Sequence, residues 1–182
     1  LEINYKDLKC KSLIYALNSI KNIPGKEFLD IGAGEGFLLN TADKEGLNVT
    51  GLDFSSFGVD KFFPHLSTKH ISGDIYESLN RLIEKEKKFS ICASTNVLEH
   101  VENPSNIIKI VSSSLKSGGG IFIMIVPNRY DIRRIIPQWR DRHYYQPSCH
   151  INYFSILDLI FLTNKNKLDL FDFGPNTLEK NS

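Results

Sequence analysis

The sequence predicts an α/β fold: a doubly wound, mostly parallel sheet with helices on both faces. Three observations predict it. Short apolar runs alternate with amphipathic stretches from residue 3 to residue 126, the pattern of parallel strands joined by crossover helices. The run IFIMIV at 121–126 is apolar throughout, as a strand covered on both sides must be. Three glycines crowd into 32–36, between the first strand-like run and the next helix. The 182 residues are the length of one domain.

Each element follows in order. Residues 3–21 carry Leu8, Leu13, Ile14, Leu17 and Ile20 at helical spacing, and Pro24-Gly25 ends that helix. Phe28 to Ile31 is the first strand, GAGEG at 32–36 the turn, and a helix runs to about residue 45, stopped at Gly46. Val49 to Asp53 is the second strand and His70-Ile71 the third, leading into Gly73-Asp74. Residues 76–87 read as a charged helix, Phe89 to Ala93 as the fourth strand, and Pro104 to Leu115 as a helix with one apolar side. Gly118 to Gly120 turn the chain into the fifth strand, Ile121 to Val126. Ile156 to Leu162 is a last helix and Leu168 to Phe173 a last strand. The domain spans 1–182, with an N-terminal helical segment at 1–25 and a polar, aromatic and basic segment at 128–152.

Composition excludes several classes. Lys+Arg is 22 against 21 for Asp+Glu, a net charge of +1, with 41% apolar and 24% charged residues. A disordered chain, a collagen-like repeat and a globally basic nucleic-acid binder are thereby ruled out. Cys10, Cys92 and Cys149 are odd in number, far apart and form no CxxC pair. That argues against a disulfide framework or a structural zinc site and for a reducing, cytoplasmic compartment. No apolar run approaches the ~18 residues of a membrane span. The first residues show no signal-peptide pattern, and a start at Leu1 rather than Met reads as a trimmed form or a fragment.

The strongest chemical signal is FLDIGAGEGF at 28–37. Glycine serves where backbone turns tightly and a ligand approaches without a Cβ in the way. A dinucleotide fingerprint, G-x-G-x-x-G, would need a glycine at 37, where Phe37 stands, so a nicotinamide-dependent oxidoreductase is disfavoured. Asp53 ends the second strand, where a carboxylate can accept from both hydroxyls of a ribose; Asp74 ends the third, where it can accept from an exocyclic amine. Asp53 and Asp74 can equally cap the helices that follow. Three strand ends aim polar groups at one crevice, which suits a nucleoside ligand lacking a bridging pyrophosphate.

Taken with LDFSS at 52–56, SGD at 72–74, NVLEHVENP at 96–104 and LKSGGGIFIMIVPN at 115–128, the glycine motif resembles the class I S-adenosylmethionine-dependent methyltransferases. The last two segments are most similar to the branch holding ubiquinone-biosynthesis O-methyltransferases and related small-molecule enzymes. The resemblance covers about residues 27–173 and implies a Rossmann-like fold with S-adenosyl-L-methionine as cofactor. It implies that Asp30, Gly32, Ala33, Gly34 and Gly36 line the methionine moiety and that Asp53 holds the ribose. It also implies that Phe54 packs on adenine, that Asp74 and Ile75 meet its edge, and that Asn96, Val97 and Leu98 lie under the sulfonium. Phe54 has a core position as its other reading. The branch usually has an acid where Ser90 stands, and the fold typically has seven strands. Only GPNTLEKNS follows Phe173, so a seventh strand is expected to be absent. A larger parent protein or a homodimer would explain both that and the short N-terminal lid.

Methyl transfer from a sulfonium is an in-line displacement, and a hydroxyl acceptor benefits from a base. His100, after the fourth strand, is the candidate base; Glu99 and His100 could also merely fix the loop. The segment TNVLEH lacks the [DN]PP[YF] tetrapeptide of amino-methylating DNA enzymes, and Cys92 lies inside a strand rather than in a Pro-Cys context. Five of the six arginines fall within 129–142, interleaved with Trp139 and followed by Tyr144 and Tyr145. Arg133 and Arg134 are therefore expected to bind an anionic small-molecule acceptor, with 128–152 as the cap on the acceptor side. A solvated amphipathic helix is the alternative, and a net charge of +1 speaks against RNA. CHINYFS at 149–155 resembles the H-x-x-x-[FY]-[ST] segment of the branch, which implies that His150 and Tyr153 face the acceptor pocket or simply dock the loop. His143, Cys149 and His150 match no standard zinc spacing, so no metal is expected. A non-catalytic domain that binds S-adenosylmethionine and serves as partner or regulator is the competing function.

Overall fold

The computed structural model describes residues 2–18, 20, 22–137, 149–170, 172 and 174; the side chains of 2–4, 18, 133 and 134 lie outside that description. Helix α1 (Glu2–Asn18) precedes strand β1 (Glu27–Ile31), helix α2 (Phe37–Lys44) and strand β2 (Asn48–Asp53). Helix α3 (Phe57–Phe62) and a 3₁₀ turn (Pro64–Lys69) lead to β3 (His70–Ser72), α4 (Ile75–Glu84), β4 (Ile91–Thr95), α5 (Pro104–Ser114) and β5 (Ile121–Ile125). A second 3₁₀ turn (Ile132–Ile135) and α6 (Ile156–Lys165) follow.

The five strands form one sheet in the order β3-β2-β1-β4-β5, and all four pairings are parallel. The chain winds outward from β1 to β3 and then returns to lay β4 on the other side of β1. The switch point therefore lies between the C-terminal ends of β1 and β4, where open parallel sheets hold ligands.

Strand alternation divides the core in two. Phe28, Ile91 and Ala93 face a layer with Ile14 and Leu17 of α1, Leu38, Leu39 and Ala42 of α2, and Val59 of α3. Leu29, Ile31, Leu52 and Cys92 face Leu79 and Leu82 of α4 and Ile107, Ile108 and Val111 of α5. Side chains one residue apart on a strand point to opposite faces, so both layers are built by the same few strands. At the edge, every residue of β5 is half-buried, unlike the buried β4.

Three expectations change. Helix α3 and its 3₁₀ turn fill a stretch between β2 and β3 that showed no clear period. The fourth strand begins at Ile91, two residues late, because Phe89 makes a bridge to Leu115 outside the main ladder. The strand expected over 168–173 is not one: residues 168–170 and 172 carry no strand, and 171 and 173 lie outside the described residues. The physical reason is local. Lys167 takes a positive φ of 60°, and Leu168 N–H donates 3.0 Å to Thr163 O. The backbone thus closes the end of α6 instead of joining a ladder.

Candidate functional site

The turn after β1 is held from three sides. Gly32 N–H and Ala33 N–H both donate to Leu52 O, at 2.7 and 2.8 Å, tying the turn to the end of β2. Gly34 N–H donates 2.8 Å to Asp53 Oδ2, and Ser55 N–H donates 3.2 Å to Asp53 Oδ1. The glycine turn and the strand-two acid are therefore one unit. Gly32 has φ +76°, and a Cβ there would stand 2.1 Å from Val97 Cγ2. Val97, just past β4, thus seals the underside of the turn, and only glycine leaves room for it. Gly58 of α3 plays the matching part above: its Cβ would meet Gly34 O at 2.5 Å and Glu35 Cα at 2.8 Å. Sequence reading passed over Gly58; its signal was a glycine two positions into the helix after LDFSS.

Asp30 is the electrostatic centre of this unit. It is buried, and Oδ2 has no hydrogen-bond partner. Burial first, and then the charge of Asp53, push its pKa up from 3.8 to about 7. A buried acceptor of this kind at a switch point asks for a cation.

The other expected cofactor residues follow the C-terminal ends of β2, β3 and β4. Phe54 is 81% exposed, so it is not a core residue. Asp74 Oδ1 accepts 3.0 Å from Glu77 N–H and caps α4, the structural role weighed for it, while Oδ2 makes no bond to that helix end. Ile75 is the first residue of α4 and packs partly on the core. Asn96 adopts a left-handed φ of 54° and donates from its N–H to Ile125 O at 2.8 Å, which turns the chain out of β4. Leu98 is fully buried beneath that turn.

The segment 149–153 clasps the loop after β4. Ile151 and Asn152 both donate from N–H to Glu99 O, at 2.9 and 3.1 Å. Asn152 Nδ2 also donates to Val101 O at 2.6 Å and Leu98 O at 3.3 Å. Sequence reading did not single out Asn152, although it sits inside the CHINYFS segment. His100 Nδ1 lies 2.7 Å from Cys149 O. A carbonyl only accepts, so Nδ1 carries the proton and the lone pair of the neutral ring is on Nε2. Glu99 Oε1 is 3.9 Å from that Nε2. Glu99 is 1% exposed, neither of its oxygens has a hydrogen-bond partner, and burial raises its pKa. The His150 ring stands 4.8 Å from the His100 ring, edge to face, and Tyr153 lies 6.2 Å beyond it. His100, His150 and Tyr153 are thus brought together.

At the base of the segment expected to be the cap, Asn128 bridges Phe154 and Arg129 N–H donates 2.7 Å to Phe154 O. Arg133 and Arg134 sit in the 3₁₀ turn Ile132–Ile135, but their side chains, and all of 138–148 with Trp139, Arg140, Arg142, His143, Tyr144 and Tyr145, lie outside the described residues. No helix among the described residues is long and apolar enough to cross a membrane.

Comparison with known proteins gives a consistent picture. A family model described as a methyltransferase domain matches residues 4–170. The ubiquinone biosynthesis O-methyltransferase of Coxiella burnetii is 28% identical over 109 residues, covering 59% of this chain and 47% of that protein. That of Shewanella pealeana is 28% identical over 116 residues, covering 63% and 49%. The chain spans about half the length of these curated relatives. A SAM dependent methyltransferase from Archaeoglobus fulgidus superposes with a TM-score of 0.69 at 20% identity, covering 88% of this chain and 68% of its own. The magnesium protoporphyrin IX methyltransferase of Synechocystis, with bound SAH, gives 0.66 at 18%, covering 88% and 72%. At these identities the likeness is one of fold.

Proposed function

Given that the chain belongs to the methyltransferase domain family, we propose that it binds S-adenosylmethionine in the switch-point crevice and methylates a hydroxyl of a small acceptor. The acceptor in this reading is anionic, sugar-linked or phenolic. One observation carries it: a buried Asp30, whose Oδ2 has no hydrogen-bond partner, beside a glycine turn that is hydrogen-bonded to Asp53.

When bound, S-adenosylmethionine supplies a methyl group on a cationic sulfonium, an electrophile for in-line displacement. Asp30 offers a buried acceptor to a cationic ligand, and such a partner relieves both its burial and its repulsion from Asp53. Gly32, Ala33, Gly34 and Gly36 let the ligand approach the backbone. Asp53 keeps lone pairs beyond the two used by Gly34 and Ser55, enough for a ribose diol. The exposed Phe54 ring suits an adenine face, with Asp74 Oδ2 and Ile75 at its edge. Asn96 and Val97 shape the floor.

At the acceptor end, His100 takes the hydroxyl proton on Nε2, its ring fixed by the bond from Nδ1 to Cys149 O. His150 and Tyr153 line the acceptor side, and Arg133 and Arg134 in the cap bind its anionic part. The name of the curated relatives supports oxygen as the methylated atom. A second copy of the chain covering the half-exposed β5 belongs to the same proposal; a single monomeric species in sedimentation would remove it.

Calorimetry with S-adenosylhomocysteine and with NAD tests the cofactor. S-adenosylhomocysteine is expected to bind and NAD not; the reverse overturns the reading. With an acceptor in hand, His100→Ala should lower turnover by about 10²-fold or more while leaving S-adenosylhomocysteine affinity in place. Undiminished turnover would remove His100 as the base. Arg133→Ala with Arg134→Ala should raise the acceptor KM alone, and an equal loss of cofactor affinity would contradict that assignment.

A further inference from the structure

His100, in the loop after β4, meets the adjacent pair Cys149 and His150. A ring nitrogen of His100, a ring nitrogen of His150 and Cys149 Sγ all lie within 4.8 Å of one another. A tetrahedral zinc ion with bonds of about 2.0–2.3 Å holds such donors roughly 3.3–3.8 Å apart. The three are therefore about 1 Å per side chain from a closed set, within the reach of ordinary rotamer adjustment. His150 is nearly buried, whereas Cys149 and His100 are exposed, so the cluster has a wall and an open entry.

A second, independent observation points to a cation. Glu99 is 1% exposed, and neither carboxylate oxygen has a hydrogen-bond partner. It lies 3.9 Å from His100 Nε2, the nitrogen that bears the lone pair. A carboxyl and an imidazole nitrogen thus face each other at a separation beyond hydrogen-bond reach. Native interiors rarely leave a buried carboxylate in that condition. His100 meets a further requirement of a metal-binding imidazole: its other ring nitrogen donates to a backbone carbonyl, here Cys149 O at 2.7 Å.

We propose that His100, Cys149 and His150 are the donors of a site for a borderline-soft divalent ion such as zinc, with Glu99 as its buried counter-charge. Thiolate and imidazole donors favour zinc or cobalt over magnesium or calcium. Occupancy withdraws the His100 lone pair from proton transfer, so the loaded chain is the silent form. That consequence rests on the methyltransferase reading; the binding itself does not.

The test uses the reduced, metal-stripped chain titrated with cobalt(II). One equivalent should produce the visible bands of tetrahedral cobalt and a near-ultraviolet thiolate-to-cobalt band, and zinc should bleach both. Cys149→Ser should abolish the thiolate band, and His150→Ala should weaken binding by more than about tenfold. Absence of the bands, their survival in both variants, or displacement by magnesium at equal concentration would overturn the site. S-adenosylhomocysteine calorimetry and far-ultraviolet circular dichroism on the same samples keep the outcomes apart. A folded chain that binds cobalt but not S-adenosylhomocysteine overturns the proposed function alone, and the converse overturns the metal site alone.

Discussion

Asp30 sits on a buried strand where a carboxylate has neither water nor a hydrogen bond for one of its oxygens. With its pKa raised from 3.8 to about 7, the folded state favours the protonated acid. Folding is unpenalised below the unfolded value near 4 and loses stability as pH rises through 7, by up to about 4 kcal/mol. Asp30→Asn should flatten that dependence, leaving the variant more stable than the parent at pH 8 in urea titrations. Equal slopes from pH 4 to 8 would contradict the raised pKa. A cationic ligand reverses the preference, so S-adenosylmethionine binding at pH 6 should release up to one proton, measurable by calorimetry in buffers of different ionisation enthalpy. Gly32 makes a different kind of prediction. Its φ of +76° and the 2.1 Å approach to Val97 act together, so Gly32→Ala should cost more than about 2 kcal/mol of unfolding free energy. A smaller loss would mean that Val97 can move aside.

Among elements, α4 and α6 show capping with different stakes. Ser155 and Asp158 form a reciprocal capping box at the start of α6. Ser155→Ala should cost about 1 kcal/mol in thermal unfolding and leave cofactor affinity unchanged. Asp74 also caps a helix, so Asp74→Ala should cost a similar amount of stability. If Asp74 also meets adenine, that variant loses S-adenosylhomocysteine affinity as well, and Asp74→Ser, which restores the cap, recovers stability but not binding. Full recovery of both would leave the cap as its whole role. Strands, turns and most helices were legible in the sequence because each is encoded locally, by an apolar run or by glycine and proline punctuation. Helix α3 was not, since six residues give a helical period too little length to register. The strand expected at 168–173 failed because the end of α6 claimed the Leu168 N–H, a competition that apolarity alone does not reveal.

For the whole molecule, the frame of the site was legible and its closure was not. FLDIGAGEG and the acid of LDFSS announced themselves through spacing, and the fold joins the two segments by bonds from Gly34 to Asp53 and from Gly32 and Ala33 to Leu52. His100 and Cys149 stand 49 residues apart, and Asn152 reaches back 51 residues to Val101. No periodicity or short motif encodes pairings at that range; they exist only once the sheet has brought β4 and the start of α6 to the same end. His143, Cys149 and His150 match no standard zinc spacing, whereas the fold brings His100 within 4.8 Å of the ligand atoms of Cys149 and His150.

The bridge between Asn128 and Phe154 pins both ends of the intervening stretch to each other at the rim of the sheet. Within it, Ile151 and Asn152 add a second hold on Glu99. If the proposed cap meets the acceptor, substitutions between these holds would alter what the scaffold recognises and leave the grip on the methyl donor as it was.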